Sequence, residues 1–214
     1  MSKVLCFLKK IGKTVISFVK RNDDIFRPIY VLTVICLVVA VCLSVTNLIT
    51  KDKIAIMERA AANAAMEALI SAEEYQKADL SGMDAELFVA KNGEETKGYI
   101  IKTQNSGYGG DIIIMTAISP DKKVSGVKIL AAADETPGLG QNVTKENFYS
   151  QYIGKTEKIT VVKNGADSDK NEINAVTGAT VSSKAVTGAV NKAFDCLEKY
   201  LKTVETATQG EVQQ

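Results

Sequence analysis

The alternation of apolar and polar positions changes character three times along the 214 residues. From Ile29 to Ile49 there is no charge, and only Thr33, Ser44, Thr46 and Asn47 are markedly polar. A helix of that length spans the roughly 30 Å of a bilayer's hydrocarbon core. The run is rich in Val and Ile, yet a lone strand cannot satisfy its backbone in lipid, so the pattern predicts one transmembrane helix over 28–50. Before it, Val4, Leu8, Ile11, Val15 and Phe18 share one helical stripe, with Lys9, Lys10, Lys13 and Lys20 largely off it. This predicts a basic amphipathic segment over 1–27, lying on the membrane face or on a partner. After the span, the Ala-rich stretch from Lys53 to Tyr75 favours helix, and a helical stalk is expected over 51–80.

Beyond the stalk the period shortens to that of strands. Ala85–Ala90, Thr96–Gln104, Asp111–Ser119, Val124–Ala131 and Ile159–Val162 are the predicted strands. Lys91-Asn92-Gly93 and Ser119-Pro120-Asp121-Lys122-Lys123 supply turns between them. Tyr99-Ile100-Ile101 breaks the alternation, which predicts a strand covered on both faces. A short helix is expected near Asn147–Gln151 and a polar loop over Asn164–Asn171. Ala185, Val186, Ala189, Val190, Ala193, Phe194, Leu197, Leu201 and Val204 then recur at helical spacing. Clustered strands with helices at both ends argue for an α+β fold. The domain is placed at 81–205, with mixed or antiparallel strands and flanking helices, and a flexible tail at 206–214.

Charge and composition remove several function classes. A net charge of +1 lacks the dominant basic face of a nucleic-acid binder. Histidine is absent, which excludes Ser-His catalysis and His-metal chemistry. Cys6, Cys36, Cys42 and Cys196 are scattered, so the domain holds one thiol and no cluster fit for iron–sulfur or zinc. Cys36 and Cys42 are expected to pack as small apolar side chains. Neither a metal site nor a catalytic residue is assigned. Lys3, Lys9, Lys10, Lys13, Lys20, Arg21 and Arg27 precede the span, against Lys51, Lys53 and Arg59 after it. The positive-inside rule then predicts a single-pass protein of the cell (inner) membrane, N-terminus cytoplasmic and domain extracytoplasmic.

The densest candidate chemistry is Val176-Thr177-Gly178-Ala179-Thr180-Val181-Ser182-Ser183, immediately before the amphipathic helix. Gly178 permits a tight turn, and Ser182 or Ser183 offers a side-chain oxygen as a cap. Free amides and the positive end of the helix dipole would face whatever sits beside Thr180, a ready place for a phosphate. On the residues alone, an ordinary Ser/Thr-rich helix start explains the run as well.

Thr177-Gly178-Ala179-Thr180-Val181-Ser182-Ser183 resembles the flavinylation motif of FMN-binding domains, Ser/Thr-Gly-Ala-Thr-x-Ser/Thr. Gly107-Tyr108-Gly109-Gly110, Gly126 and Glu135-Thr136-Pro137-Gly138-Leu139-Gly140 resemble the same family, in the same order. The resemblance covers roughly residues 50–205. With the single span before it, the chain is most similar to the G subunits of Rnf electron-transport complexes; the C subunits of sodium-pumping NADH:quinone reductases are near relatives.

The resemblance implies FMN joined by a phosphoester to Thr180, with Thr177, Gly178, Ala179, Val181, Ser182 and Ser183 as the surrounding cofactor-binding residues. It places Thr136, Gly138 and Leu139 against the flavin and Lys163 at a basic position near it. Tyr108 is expected to pack inside the surroundings of the pocket. Asn174 stands where the family often has Asp. No base beside Thr180 is apparent, so attachment would need a separate flavin transferase. The implied role is electron transfer within a membrane-bound ferredoxin:NAD⁺ oxidoreductase that moves Na⁺ or H⁺. Its partners would be membrane subunits A, D and E, iron–sulfur subunits B and C, and membrane lipid. The alternatives are the C subunit of the quinone reductase, a stand-alone membrane-anchored FMN protein, or a non-redox sensor or scaffold.

Overall fold

The computed structural model describes residues 23–78, 83–156 and 158–211. The expected amphipathic segment over 1–27 therefore lies outside the described residues, except at its end, where helix has already begun. The chain divides into two compact units, 1–58 and 59–214.

The described residues of the first unit are the greater part of helix α1, Asp23–Leu69, which runs on into the second. Its apolar side chains are bare: Leu37 is 62% exposed and Leu43 66%. Cys36 and Cys42 are exposed as well, because among the described residues no neighbouring element covers this stretch of helix for them to pack against. The hydroxyls of Thr33, Thr46 and Thr50 donate to the carbonyls of Ile29, Cys42 and Thr46 at 2.8, 2.8 and 2.7 Å. Polar groups satisfied within the helix and apolar groups facing outward are what hydrocarbon requires. The helix is long and apolar enough to cross a membrane, and it is read as a membrane anchor.

In the second unit, five antiparallel strands follow one another in chain order: β1 Glu74–Ala78, β2 Ala85–Asn92, β3 Glu95–Ser106, β4 Asp111–Ile118 and β5 Val124–Ala131. Between β2 and β3, Gly93 takes φ +59° at the first central position of a two-residue turn, which only glycine adopts cheaply. Helix α2, Glu146–Tyr149, runs into a 3-10 turn at Ser150–Tyr152, matching the expected short helix. A separate parallel pair, β6 Thr160–Val162 and β7 Glu172–Asn174, precedes helix α3, Thr180–Glu211.

Strand alternation sends successive side chains to opposite faces. Ile101, Ile112, Ile114 and Ile118 meet Val186, Val190, Ala193 and Leu197 of α3 in the larger core. Ile100, Met115 and Ala117 meet Ala65 and Met66 of α1 in the smaller one. Ile100 and Ile101 are both fully buried, so the broken alternation did mark a strand covered on both faces. Each such side chain contributes about 1.5–3 kcal/mol.

Two expected boundaries move. The stalk's helix stops at Leu69, and Glu74–Ala78 is a strand because it completes the open edge of β2. Tyr75 fixes that corner by donating its hydroxyl to the Ile70 carbonyl at 2.7 Å. The tail placed at 206–214 begins inside α3, which continues to Glu211.

Candidate functional site

Two type II turns form the site. In the first, Leu139 N–H donates to Thr136 carbonyl at 3.1 Å, with Pro137 next and Gly138 at φ +76°. In the second, Ala179 N–H donates to Val176 carbonyl at 2.9 Å, with Gly178 at φ +78°. A positive φ at the third residue is the type II requirement, and glycine meets it in both. The turns abut: a Cβ added at Gly178 would come within 2.9 Å of Leu139 Cδ2. The two motifs, about forty residues apart in the chain, are therefore one surface.

The second turn delivers the chain directly into α3. Ser183 N–H donates to Ala179 carbonyl at 2.9 Å, so Ala179 occupies the capping position and the helix begins at Thr180. Ser182 and Ser183 lie inside the first turn and do not cap it through a flanking position. Their hydroxyls point inward. Ser182 is 1% exposed and donates to Glu135 Oε2 at 2.7 Å. Ser183 is fully buried, donates to Ala179 carbonyl at 2.9 Å and accepts from Val176 N–H at 3.0 Å. With both serine hydroxyls engaged, the backbone offers donors to an outside group: the amides of Thr180, Val181 and Ser182 belong to a first turn, where a helix has no carbonyl of its own to offer.

Thr180 is half-buried, while Thr177, Gly178 and Val181 are exposed beside it. Thr136 and Gly138 are exposed too, with Leu139 at 46% and Val181 at 52% presenting apolar surface. Asn142 Nδ2 donates to Gly138 carbonyl at 2.6 Å and holds the first turn from behind. Tyr108 is 74% exposed, against the expectation that it packs inside. The reason is local: Gly109 and Gly110 press so closely on Asp134 that neither has room for a Cβ, and the adjoining tyrosine ring is left outside.

Lys163 is exposed and follows β6, whose Val162 carbonyl accepts Ala175 N–H at 2.8 Å. That bond sets it at the same end of the β6–β7 pair as the Val176 turn. Asn174 Oδ1 accepts Ala166 N–H at 3.0 Å. An amide keeps the acceptor that an aspartate would offer. A cavity of about 350 Å³ adjoins the turn, lined by Asn142, Lys145, Phe148, Gln151, Asn174 and Thr177 among others. Beneath the site, Tyr152 and Thr187 share a buried hydroxyl–hydroxyl bond of 2.7 Å, and burial pushes the Tyr152 phenol well above its ordinary range.

Glu135 is a site residue that sequence reasoning missed. It is 2% exposed, and its Oε1 accepts Tyr108 N–H at 2.7 Å while Oε2 takes the Ser182 hydroxyl. The available signal was an acid flanked by Gly107–Gly110 and Gly138–Gly140 in the same set of motifs.

A family model described as FMN-binding domain matches residues 107–195, which include all three loops. The G subunit of the proton-translocating ferredoxin:NAD(+) oxidoreductase complex of Clostridium ljungdahlii is 33% identical over 178 residues, covering 82% of this chain and 93% of that protein. The G subunit of the Na(+)-translocating complex of Acetobacterium woodii is 33% identical over 196 residues, covering 83% and 94%. A solved structure, the C subunit of the Na(+)-translocating NADH-quinone reductase from Parabacteroides distasonis, is 24% identical with a TM-score of 0.48, covering 55% of this chain and 62% of that one. With one-third identity sustained over four-fifths of its length, the chain belongs to the family of G subunits of ion-translocating ferredoxin:NAD(+) oxidoreductase complexes.

Proposed function

We propose that this chain carries FMN on Thr180 through a phosphoester and relays electrons within such a complex, beside its membrane and iron–sulfur subunits. The observation that carries the reading is the pairing of the two type II turns at the start of α3. It leaves Thr180 half-exposed between backbone donors and two apolar side chains. This donor set suits a tethered phosphate. The first-turn amides and the helix dipole favour an anion, while Leu139 and Val181 offer apolar surface to a flat ring. Bound FMN supplies the redox chemistry.

The residues of the chain hold and orient. Gly138 and Gly178 allow the two backbones to meet, Thr136 and Leu139 face the same exposed surface, and Lys163 provides a cation at that end of the β6–β7 pair. Attachment forms one Oγ1–phosphorus bond on Thr180 and breaks the phosphorus–oxygen bond to the leaving group of an activated FMN donor held by a separate flavin transferase, the hydroxyl proton passing to a base of that transferase. The charge asymmetry about α1 supports an N-terminus in the cytoplasm and this domain outside.

The test is expression of the full chain with a flavin transferase, followed by denaturing gel electrophoresis under ultraviolet light. Wild type should fluoresce and Thr180→Ala should not; a fluorescent Thr180→Ala band would move the attachment elsewhere.

A further inference from the structure

Glu135 is buried between two exposed neighbours, Asp134 and Thr136. Withdrawing a carboxylate from water is costly unless its oxygens are partnered, and here both are. Oε1 accepts Tyr108 N–H at 2.7 Å and Gly109 N–H at 3.4 Å; Oε2 accepts the Ser182 hydroxyl at 2.7 Å. The backbone has been cleared to admit it. A Cβ added at Gly107 would overlap Oε1, and one added at Gly140 would overlap Oε2. Three segments far apart in the chain thus converge on one side chain.

We infer that Glu135 is a positioning residue that pins the Gly107–Gly110 loop and the Thr136–Leu139 turn to the first turn of α3. Thr180 is thereby presented in one geometry before FMN is attached. The inference rests on attachment at Thr180. It concerns the chain's own loops, whose order is set without the cofactor. A reacting group displaced by about an ångström loses roughly tenfold or more in rate, so the clamp should be visible in how fast the chain acquires FMN.

The experiment uses the full chain in detergent. Intact mass follows FMN acquisition over short co-expression with a flavin transferase. Hydrogen exchange of the Tyr108 and Gly109 amides is measured in chain made without the transferase. Glu135→Ala and Gly140→Ala should each slow acquisition about tenfold or more and speed exchange at both amides. Their combination should be no worse than either, since both remove the same contact. Glu135→Gln keeps an acceptor for Tyr108 and a partner for Ser182, and should stay close to wild type in both readouts. Ser182→Ala loses one of the three contacts and should fall between, which serves if Glu135→Ala does not fold.

The inference is overturned if the Glu135 and Gly140 variants load at the wild-type rate, or load slowly with exchange unchanged. It is equally overturned if Glu135→Gln is as slow as Glu135→Ala, or if Tyr152→Phe with a matched drop in melting temperature slows loading as much. A wild type that gains no FMN, or a Thr180→Ala chain that does, would instead refute the attachment reading. The exchange measurement would then still decide the clamp.

Discussion

The two long helices are both rich in apolar residues, yet they are stabilised by opposite surroundings. In α1, apolar side chains cover every side between Ile29 and Ile49 and remain exposed. In α3 they form one stripe, and Val186, Ala189, Val190 and Ala193 of that stripe are completely buried against the sheet. The distribution of apolar residues, more than their number, decides whether a helix seeks lipid or a protein core. Placement of charge follows the same logic. α1 carries no charge from Ile29 to Ile49, whereas α3 carries charges and sets Lys202 against Glu198 at 2.7 Å on its solvent side.

A single acidic substitution should separate the two. Val190→Asp places an unpaired charge in the larger core and should cost about 4 kcal/mol or more, enough to unfold the domain. Circular dichroism of the purified chain would show loss of the melting transition. Leu43→Asp, near the middle of the apolar span, should cost about 2.5–3.5 kcal/mol of insertion and leave the domain's melting unchanged. Membrane fractionation would show the shift. If Leu43→Asp melted the domain, or Val190→Asp spared it, the assignment of lipid to one helix and core to the other would fail.

Division of the chain at residues 58 and 59 leads to a milder expectation. A chain beginning at Lys51 keeps both apolar clusters and the Thr180 turn. It should fold, acquire FMN, and melt within a few degrees of the full chain, about the spread that 1 kcal/mol produces. Added in dilute form to a complex lacking this subunit, it should restore little electron transfer, because the anchor's effective concentration is gone. Full rescue would reduce α1 to a targeting device.

Much of this architecture was readable in the residues because burial imposes periods. The charge-free run, the five predicted strands and the α3 stripe each reflect a surface that must meet lipid or a neighbour. What was missed lacks such a period. β1 (Glu74–Ala78) is a half-exposed edge strand whose pairing with β2 is decided by the partner, and β7 is three residues long. The site divides along the same line. Gly138 and Gly178 were readable, since a tight turn needs glycine. The inward hydroxyl of Ser182 and the burial of Glu135 depend on a contact across 47 residues, and the bond from Tyr108 N–H to Glu135 on one across 27, separations that local pattern does not encode.

The smallest effect expected concerns the contact beneath the site. Tyr152 is completely buried, and its hydroxyl shares a 2.7 Å bond with Thr187, so Tyr152→Phe should cost about 1 kcal/mol at neutral pH. The pH dependence is more telling. Burial raises the folded phenol above its ordinary value of about 10, with the Thr187 bond opposing weakly. A raised pKa means that the folded chain holds the proton after the unfolded chain has released it. The stabilisation is therefore complete below about pH 10 and declines as pH rises beyond it, by about 1.4 kcal/mol per unit from this one group. Tyr99, whose phenol is raised by burial and by Tyr200 beside it, acts in the same direction. Denaturant midpoints measured between pH 8 and about 11 should fall more steeply in wild type than in Tyr152→Phe. Parallel curves would show that the Tyr152 phenol ionises as easily in the folded domain as outside it, and that α3 is less tightly sealed against the sheet than its buried stripe indicates.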